Sequence, residues 1–282
     1  MTSTAASQPA AATRWIELDG VDNMRDVGGL PTTDGRSVVA GRLIRSDNLQ
    51  ELAPASVRHL VDDLGVTDVV DLRTLVEVAK EGDGPMVAEP DVRLHHHTLY
   101  TEDTKETGIP PGERKLPWES DRKLGTSAEV RRPRLKRRQH DAYWSSHYLG
   151  YLTQRPDSVV AALRAIGQAK GAVVVHCAAG KDRTGTIVGL ALLVAGVTND
   201  AVVADYAASA ERVPRILERL ARHPAYGANL DGKTVAQQQP RAETMRLLVD
   251  ALDREGGAEA WLEQHAWTAE DTDRLRAKLL GS

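Results

Sequence analysis

The sequence predicts a single α/β domain in which a central, mostly parallel sheet is flanked by helices. Three observations carry that prediction. Apolar runs of strand length, at residues 66–73, 92–99 and 172–175, alternate with stretches of helical period. The last run passes through a glycine-bearing loop straight into another apolar segment, residues 187–194, as a strand–loop–helix junction does. The chain has 282 residues and no internal repeat, enough for one sizeable core.

Taken in order, residues 1–12 are small and polar and read as a disordered tail before a domain at 13–282. Residues 15–18 alternate like a short strand, Asp19-Gly20 marks a turn, and residues 33–36 read as a hairpin turn. Val57, Leu60, Val61 and Leu64 make a helical stripe over residues 54–64, which Gly65 ends. Residues 66–73 follow as a buried strand. Its carboxyl end carries Asp71 and Arg73, where α/β sheets place their ligands. In the strand at 92–99, His95 and His97 share a face; they are a hydrogen-bonded pair or, given further ligands, a metal site.

Residues 101–140 are rich in Pro, Gly and charge and predict a mobile loop or lid insertion. The basic run at 131–138 fits a solvated loop, a surface for acidic membranes or phosphoinositides, or a nucleic-acid patch. A helix then spans residues 142–152, with Trp144, His147, Tyr148 and Tyr151 along one side. Asp157 is expected to cap the next helix, which carries Val159, Val160, Leu163 and Ile166 and stops at Gly171. The helix at 184–195 is apolar almost all round, so it belongs in the centre. Asn199 or Asp200 caps a helix containing Asp205, Tyr206 and Ser209, and residues 214–220 are amphipathic. Pro240 starts a further helix that Gly256-Gly257 ends. Two more follow at 258–264 and 268–280, the second capped by Thr268.

Composition narrows the class of protein. Charged residues at 27% and hydrophobic ones at 41% describe an ordinary soluble globular chain, and a net charge of -4 does not suit a nucleic-acid binder. No run approaches the roughly eighteen apolar residues of a membrane span. The N-terminal residues lack a basic start and an apolar stretch, so no secretory signal is expected. With one cysteine there is no internal disulfide, which suits a reducing, cytoplasmic setting.

That cysteine carries the chemistry. Residues 176–185 read HCAAGKDRTG, with Cys177 at the end of a strand and five residues between it and Arg183. Such a loop folds so that the N–H groups of Ala178, Ala179, Gly180 and Lys181 point into one cup, an anion nest closed by the helix dipole. Arg183 adds a planar fork suited to two phosphate oxygens. The same field favours the nucleophilic thiolate form of a cysteine. Phosphate held over a thiolate is chemistry for phosphomonoester cleavage through a cysteinyl-phosphate. The plain alternative is a buried structural cysteine. A nucleotide P-loop does not fit, because Asp182 follows Lys181 where that motif needs Ser or Thr for magnesium.

HCAAGKDRTG resembles the signature loop of the cysteine-dependent protein tyrosine phosphatases, and more narrowly the bacterial tyrosine or dual-specificity phosphatases whose loop reads HCxAGKDRTG. Residues 23–29 (NMRDVGG) and 41–49 (GRLIRSDNL) resemble that family's N-terminal pattern, with Met24 where it usually has Phe. The DLR at 71–73 with Glu77, the DY of 205–206 with Ser209, and the C-terminal helices match as well, leaving 101–140 as the gap. The resemblance implies a cysteine-phosphatase-like fold, no cofactor and no metal. It implies substrates bearing phosphotyrosine, in some members phosphoserine, phosphothreonine or phosphoinositides.

Carried over residue by residue, Cys177 is the nucleophile, and Arg183 with the loop amides holds the phosphate. His176 fixes the loop, and Thr184 donates a hydrogen bond to the thiolate. No Trp-Pro-Asp loop is present, so Asp182 is the expected general acid, with Asp71 and Asp26 as the alternatives. Lys181 goes with doubly charged or phosphoinositide substrates. Arg25, Asp26, Arg45 and Asp47 are expected to form a structural ion-pair network behind the site, and Asp71 to orient Arg73 or Arg183. The rival readings are a phosphoinositide phosphatase, a non-catalytic phospho-binding module and a sulfurtransferase. Expected partners are a phosphotyrosine protein or phosphoinositide substrate, phosphate as product or inhibitor, and a membrane surface met through 131–138, with no nucleic acid.

Overall fold

Short valine-rich strands and glycine turns build one mixed sheet. In a computed structural model the residues described are 14–102, 109–118 and 137–281. The strands are β1 (Arg14–Trp15), β2 (Arg25–Asp26), β3 (Leu43–Ser46), β4 (Val66–Asp71), β5 (Arg93–His96) and β6 (Ala172–His176), in the order β1-β2-β3-β6-β4-β5. From β3 through β6 and β4 to β5 all pairings are parallel, while β1 and β2 add an antiparallel edge. The expected single α/β domain with a mostly parallel sheet is what forms.

β6 sits between β3 and β4, and every one of its residues is buried. Because side chains alternate along a strand, Val173 and Val175 enter the larger apolar core and Ala172 and Val174 the smaller one. A strand buried on both faces needs apolar residues at every position, which explains its unbroken run of valines. The register sets Ser46 of β3 and Asp71 of β4 opposite His176, so three carboxyl ends meet where β6 runs into its loop.

The helices largely follow the predicted stripes, with local corrections. α1 (Pro54–Arg58) continues as a wider π-type turn, His59–Asp63, before Gly65 turns the chain. α2 (Leu75–Glu81) opens on a capping box: Thr74 accepts from the Glu77 amide and Glu77 from the Thr74 amide. α3 (Arg137–Gln154) begins earlier than predicted. α4 (Pro156–Gln168) starts on Pro156, and Asp157 pairs with Arg155 instead of capping. α5 (Asp182–Val194) leaves the loop and is buried almost throughout, as expected. α6 (Asn199–Ala208) is capped by Thr198, one residue before the predicted cap. α7 (Val213–Leu220), α8 (Ala242–Arg254), α9 (Ala258–Glu263) and α10 (Ala269–Leu280) complete the described helices of any length, with Thr268 capping α10 as predicted.

Of the predicted lid insertion, residues 103–108 and 119–136 lie outside the described residues, as do the N-terminal tail and most of the basic run. Residues 137–138 of that run begin α3. His95 is hydrogen-bonded, its Nε2 standing 2.8 Å from Oδ1 of the buried Asp68. Among the described residues no helix is long and apolar enough to cross a membrane.

Candidate active site

The loop from β6 to α5 is held from behind by its carbonyls. Ala178 O accepts from the Asn48 amide at 3.0 Å, and Ala179 O accepts from Asn23 Nδ2 at 3.0 Å. Gly180 O accepts from Asn23 Nδ2 at 3.2 Å and from Arg45 Nη2 at 3.0 Å. These bonds hold the carbonyl side of the loop against the segment at Asn23 and the end of β3. Gly180 has φ +63, and a Cβ there would come within 2.5 Å of the backbone of Ser46 and Asp47. Only glycine fits that close crossing of loop and β3.

Behind the loop lies the ion-pair network that the charged N-terminal block predicted, with a different membership. Its centre is Asp205 of α6, which accepts from Arg25 Nε at 2.9 Å and Arg45 Nη1 at 2.5 Å. Arg25 in turn donates to Asn23 Oδ1 at 2.9 Å, so the residues that grip the loop are themselves fixed. Asp47 accepts from Arg219 of α7 and from the amides of Asp22 and Asn23. Asp26 is not brought to the loop. It accepts from the amides of Gly28 and Gly41, each at 2.8 Å, and bonds the turn between β2 and β3.

Arg183 lies at the first turn of α5 and is anchored by Glu77 of α2. Nη1 donates to Glu77 Oε2 at 2.6 Å and Nη2 to Oε1 at 2.8 Å, with a further bond from Nη1 to Leu72 O at 3.2 Å. A guanidinium has two edges that can grip two acceptors. Glu77 takes the edge formed by Nη1 and Nη2, which leaves the one formed by Nε and Nη2. Burial opposes the charge on Arg183, but Glu77 and then Cys177 hold it protonated well above its ordinary range. The rings of Tyr100 and Trp118 lie 5.6 and 5.8 Å from the guanidinium carbon and add cation–π attraction.

Glu77 is the functional residue that sequence reasoning left without a role. The available signal was local: Glu three residues after Thr is the capping-box spacing, which brings the carboxylate back towards the end of β4. Asp71, for which two orienting roles were open, serves Arg73. It accepts from Arg73 Nε at 3.0 Å and from Nη2 at 2.6 Å. Arg73 Nη1 then donates to Gly82 O at 3.1 Å, which braces α2.

His176 and Cys177 are both buried at the end of β6. Burial lowers the His176 pKa to about 4, so the ring is neutral near pH 7 and not a base matched to that pH. Thr184 is fully buried and its Oγ1 has no hydrogen-bond partner among the described residues, which leaves it available to an atom in the cup. Asp182 faces the cavity. Tyr148 Oη donates to its Oδ1 at 2.5 Å, and Lys181 Nζ lies 3.4 Å from its Oδ2. Lys181 also donates to Gln238 O at 2.7 Å.

These groups open into a cavity of about 580 Å³. Cys177, Arg183, Lys181 and Asp182 line it together with the aromatic side chains of Tyr100, Tyr151 and Trp118. Ile216, Leu217 and Leu220 of α7, the segment that the sequence marked as amphipathic, line it too, and Ile216 and Leu220 pack in one cluster with Trp118, which makes that helix its cover. Arg219 on the reverse of α7 donates to Asn48 Oδ1 at 2.6 Å and pairs with Asp22 and Asp47, so the cover is pinned to the strand end behind the loop.

A buried thiol at a strand end, a glycine-turned anion loop and a carboxylate-anchored arginine define the site of a phosphate-handling α/β enzyme. The comparisons agree. Residues 16–281 match the model of the tyrosine phosphatase family. The chain is similar to the triple specificity protein phosphatase PtpB of Mycobacterium tuberculosis, with 35% identity over 212 residues that cover 72% of each protein. It is also similar to a putative tyrosine-protein phosphatase of Cupriavidus necator, at 32% identity over 70% of this chain and 63% of the other. A tyrosine-protein phosphatase of Nostoc commune is 28% identical over 88% of this chain and 78% of its own. The chain belongs to the tyrosine phosphatase family and is an enzyme of that class, a protein-tyrosine phosphatase.

Proposed function

We propose that this phosphatase works through a cysteinyl-phosphate on Cys177, with Arg183 and the loop amides as the phosphate clamp and Asp182 as the acid. The observation that supports it best is the Arg183–Glu77 pair, which fixes a guanidinium edge beside a buried thiol. The thiolate of Cys177 attacks phosphorus in line with the ester oxygen. As the P–O bond breaks, Asp182 gives its proton to the leaving oxygen. Water then attacks phosphorus with Asp182 taking its proton, the S–P bond breaks, and phosphate departs. The charge that spreads over the equatorial oxygens falls on Arg183 and the amides of Ala178 to Arg183. Because the nucleophile works only when reduced, a reducing compartment such as the cytoplasm suits it.

The substrate range follows from the cavity. Its volume of about 580 Å³ and the lining rings of Tyr100, Tyr151 and Trp118 suit a phosphotyrosine ring, and the ammonium of Lys181 in the same lining suits a second phosphate. Dual specificity, with phosphoinositides as a further class, therefore belongs to the same reading. The relative named for triple specificity supports testing all three classes. The test is turnover of a phosphotyrosine peptide, a phosphoserine peptide and a set of phosphoinositides, with Cys177→Ser as control. The reading expects fastest turnover of phosphotyrosine and loss of all activity in the variant. Full activity in Cys177→Ser would end the mechanism, and phosphate binding without turnover in the native protein would favour a binding module.

A further inference from the structure

Asp182 is not alone at the end of α5. Tyr148 of α3 is fully buried, and behind it Tyr206 Oη of α6 lies 2.7 Å from Tyr148 Oη. A phenol has one hydrogen to give, and a carboxylate oxygen can only accept. Tyr148 gives its hydrogen to Asp182 Oδ1 at 2.5 Å, so its oxygen must accept from Tyr206. The chain of bonds has one direction, from Tyr206 to Tyr148 to Asp182. Burial, then the nearby Asp182 charge, push both phenols well above their ordinary range, so both remain neutral donors at any working pH. Tyr206 can come this close because residue 185 is glycine: a Cβ there would meet the Tyr206 ring at 2.8 Å.

We propose that Tyr148, seated by Tyr206, is a positioning residue that holds Oδ1 of Asp182 and so leaves Oδ2, which faces Lys181 Nζ at 3.4 Å, as the oxygen that carries the proton delivered to the leaving group. The proposal rests on the reading of Asp182 as the acid. In the first step the proton passes from Oδ2 to the ester oxygen as the S–P bond forms and the P–O bond breaks, which leaves Asp182 a carboxylate. Tyr148 then donates to an anion instead of a neutral acid, so its bond is stronger after proton transfer than before. An interaction that strengthens along the reaction lowers the barrier without tightening substrate binding. The same bond would hold Oδ2 towards the water that cleaves the phosphocysteine.

The test uses aryl phosphates whose leaving phenols differ in acidity, since a poor leaving group needs its proton and a good one does not. Wild type, Tyr148→Phe, Asp182→Asn and the double variant are compared in single-turnover phosphorylation. For phenyl phosphate, Tyr148→Phe is expected to lose about 10- to 100-fold in rate, against less than about threefold for 4-nitrophenyl phosphate, with KM little changed. In the Asp182→Asn background, Tyr148→Phe should cost nothing more, and Asp182→Asn should flatten the pH–rate profile. An equal loss on every leaving group, or additive losses in the double variant, overturns the positioning role while leaving Asp182 as the acid. A loss in Asp182→Asn that ignores the leaving group overturns both. Tyr206→Phe carries the test if Tyr148→Phe does not fold, and is expected to show a smaller effect with the same leaving-group dependence.

Discussion

Glu77 decides what Arg183 can do. An arginine side chain has several rotamers, and holding it in one costs side-chain entropy that substrate binding would otherwise have to supply. The bidentate bond to a fully buried carboxylate settles that cost on folding. His176 shows the other use of burial. Its pKa is lowered from 6.5 to about 4, so between these values the unfolded chain binds a proton that the folded chain does not. Stability contributed by the neutral ring is complete above pH 6.5 and falls as pH drops towards 4, by about 2 kcal/mol at pH 5 from this side chain. His97, whose pKa burial also lowers to about 4, adds to the same slope. The lowered carboxyls of Glu77 and Asp205 lose their contribution only below their ordinary values of 4.5 and 3.8. Burial raises the Asp47 carboxyl, which acts with the opposite sign, so urea midpoints at pH 7 and pH 5 isolate a histidine only through its variant. The midpoint should fall by less in His176→Asn than in the wild type; an equal change in both contradicts the account.

The element that organises the chain is β6 with its loop and α5. Each part has a local cause: valines for a strand buried on both faces, Gly180 for the crossing over β3, and small and apolar residues for a central helix. Gly180→Ala should break it. A left-handed backbone with a side chain costs about 1–2 kcal/mol, and the backbone clash at 2.5 Å adds to that. A lower melting temperature with phosphate affinity lost should result, whereas a variant with normal phosphate affinity would show that the loop does not depend on that crossing. This element was legible because strand, glycine turn and apolar helix each follow local rules. The helix starts were less so: Asp157 and Asn199 are good capping residues by type, but Pro156 and Thr198 precede them and the chain turns there first. The roles of Glu77, Tyr148 and Asp205 depend on side chains from different elements meeting, and one-dimensional spacing does not encode that.

At the scale of the molecule, the fold places one strand end at the meeting point of two cores and pins everything around it with buried charge. Asp205 ties β2 and β3 to α6, Asp47 ties Asp22 and Asn23 to the cover helix α7, and Glu77 ties α2 to α5. Breaking such pairs costs several kcal/mol each, because the surviving charge is left buried. They fix the positions of the side chains around the loop, and fixed position and charge are what phosphoryl transfer asks of a protein. The central claim is that the reaction passes through a phosphate on Cys177. Acid quenching of the enzyme during turnover of an aryl phosphate, followed by mass analysis of the peptide bearing Cys177, tests it directly. The account predicts a peptide heavier by one phosphoryl group, with Cys177→Ser showing none; turnover with no phosphorylated Cys177 at any time point would contradict it.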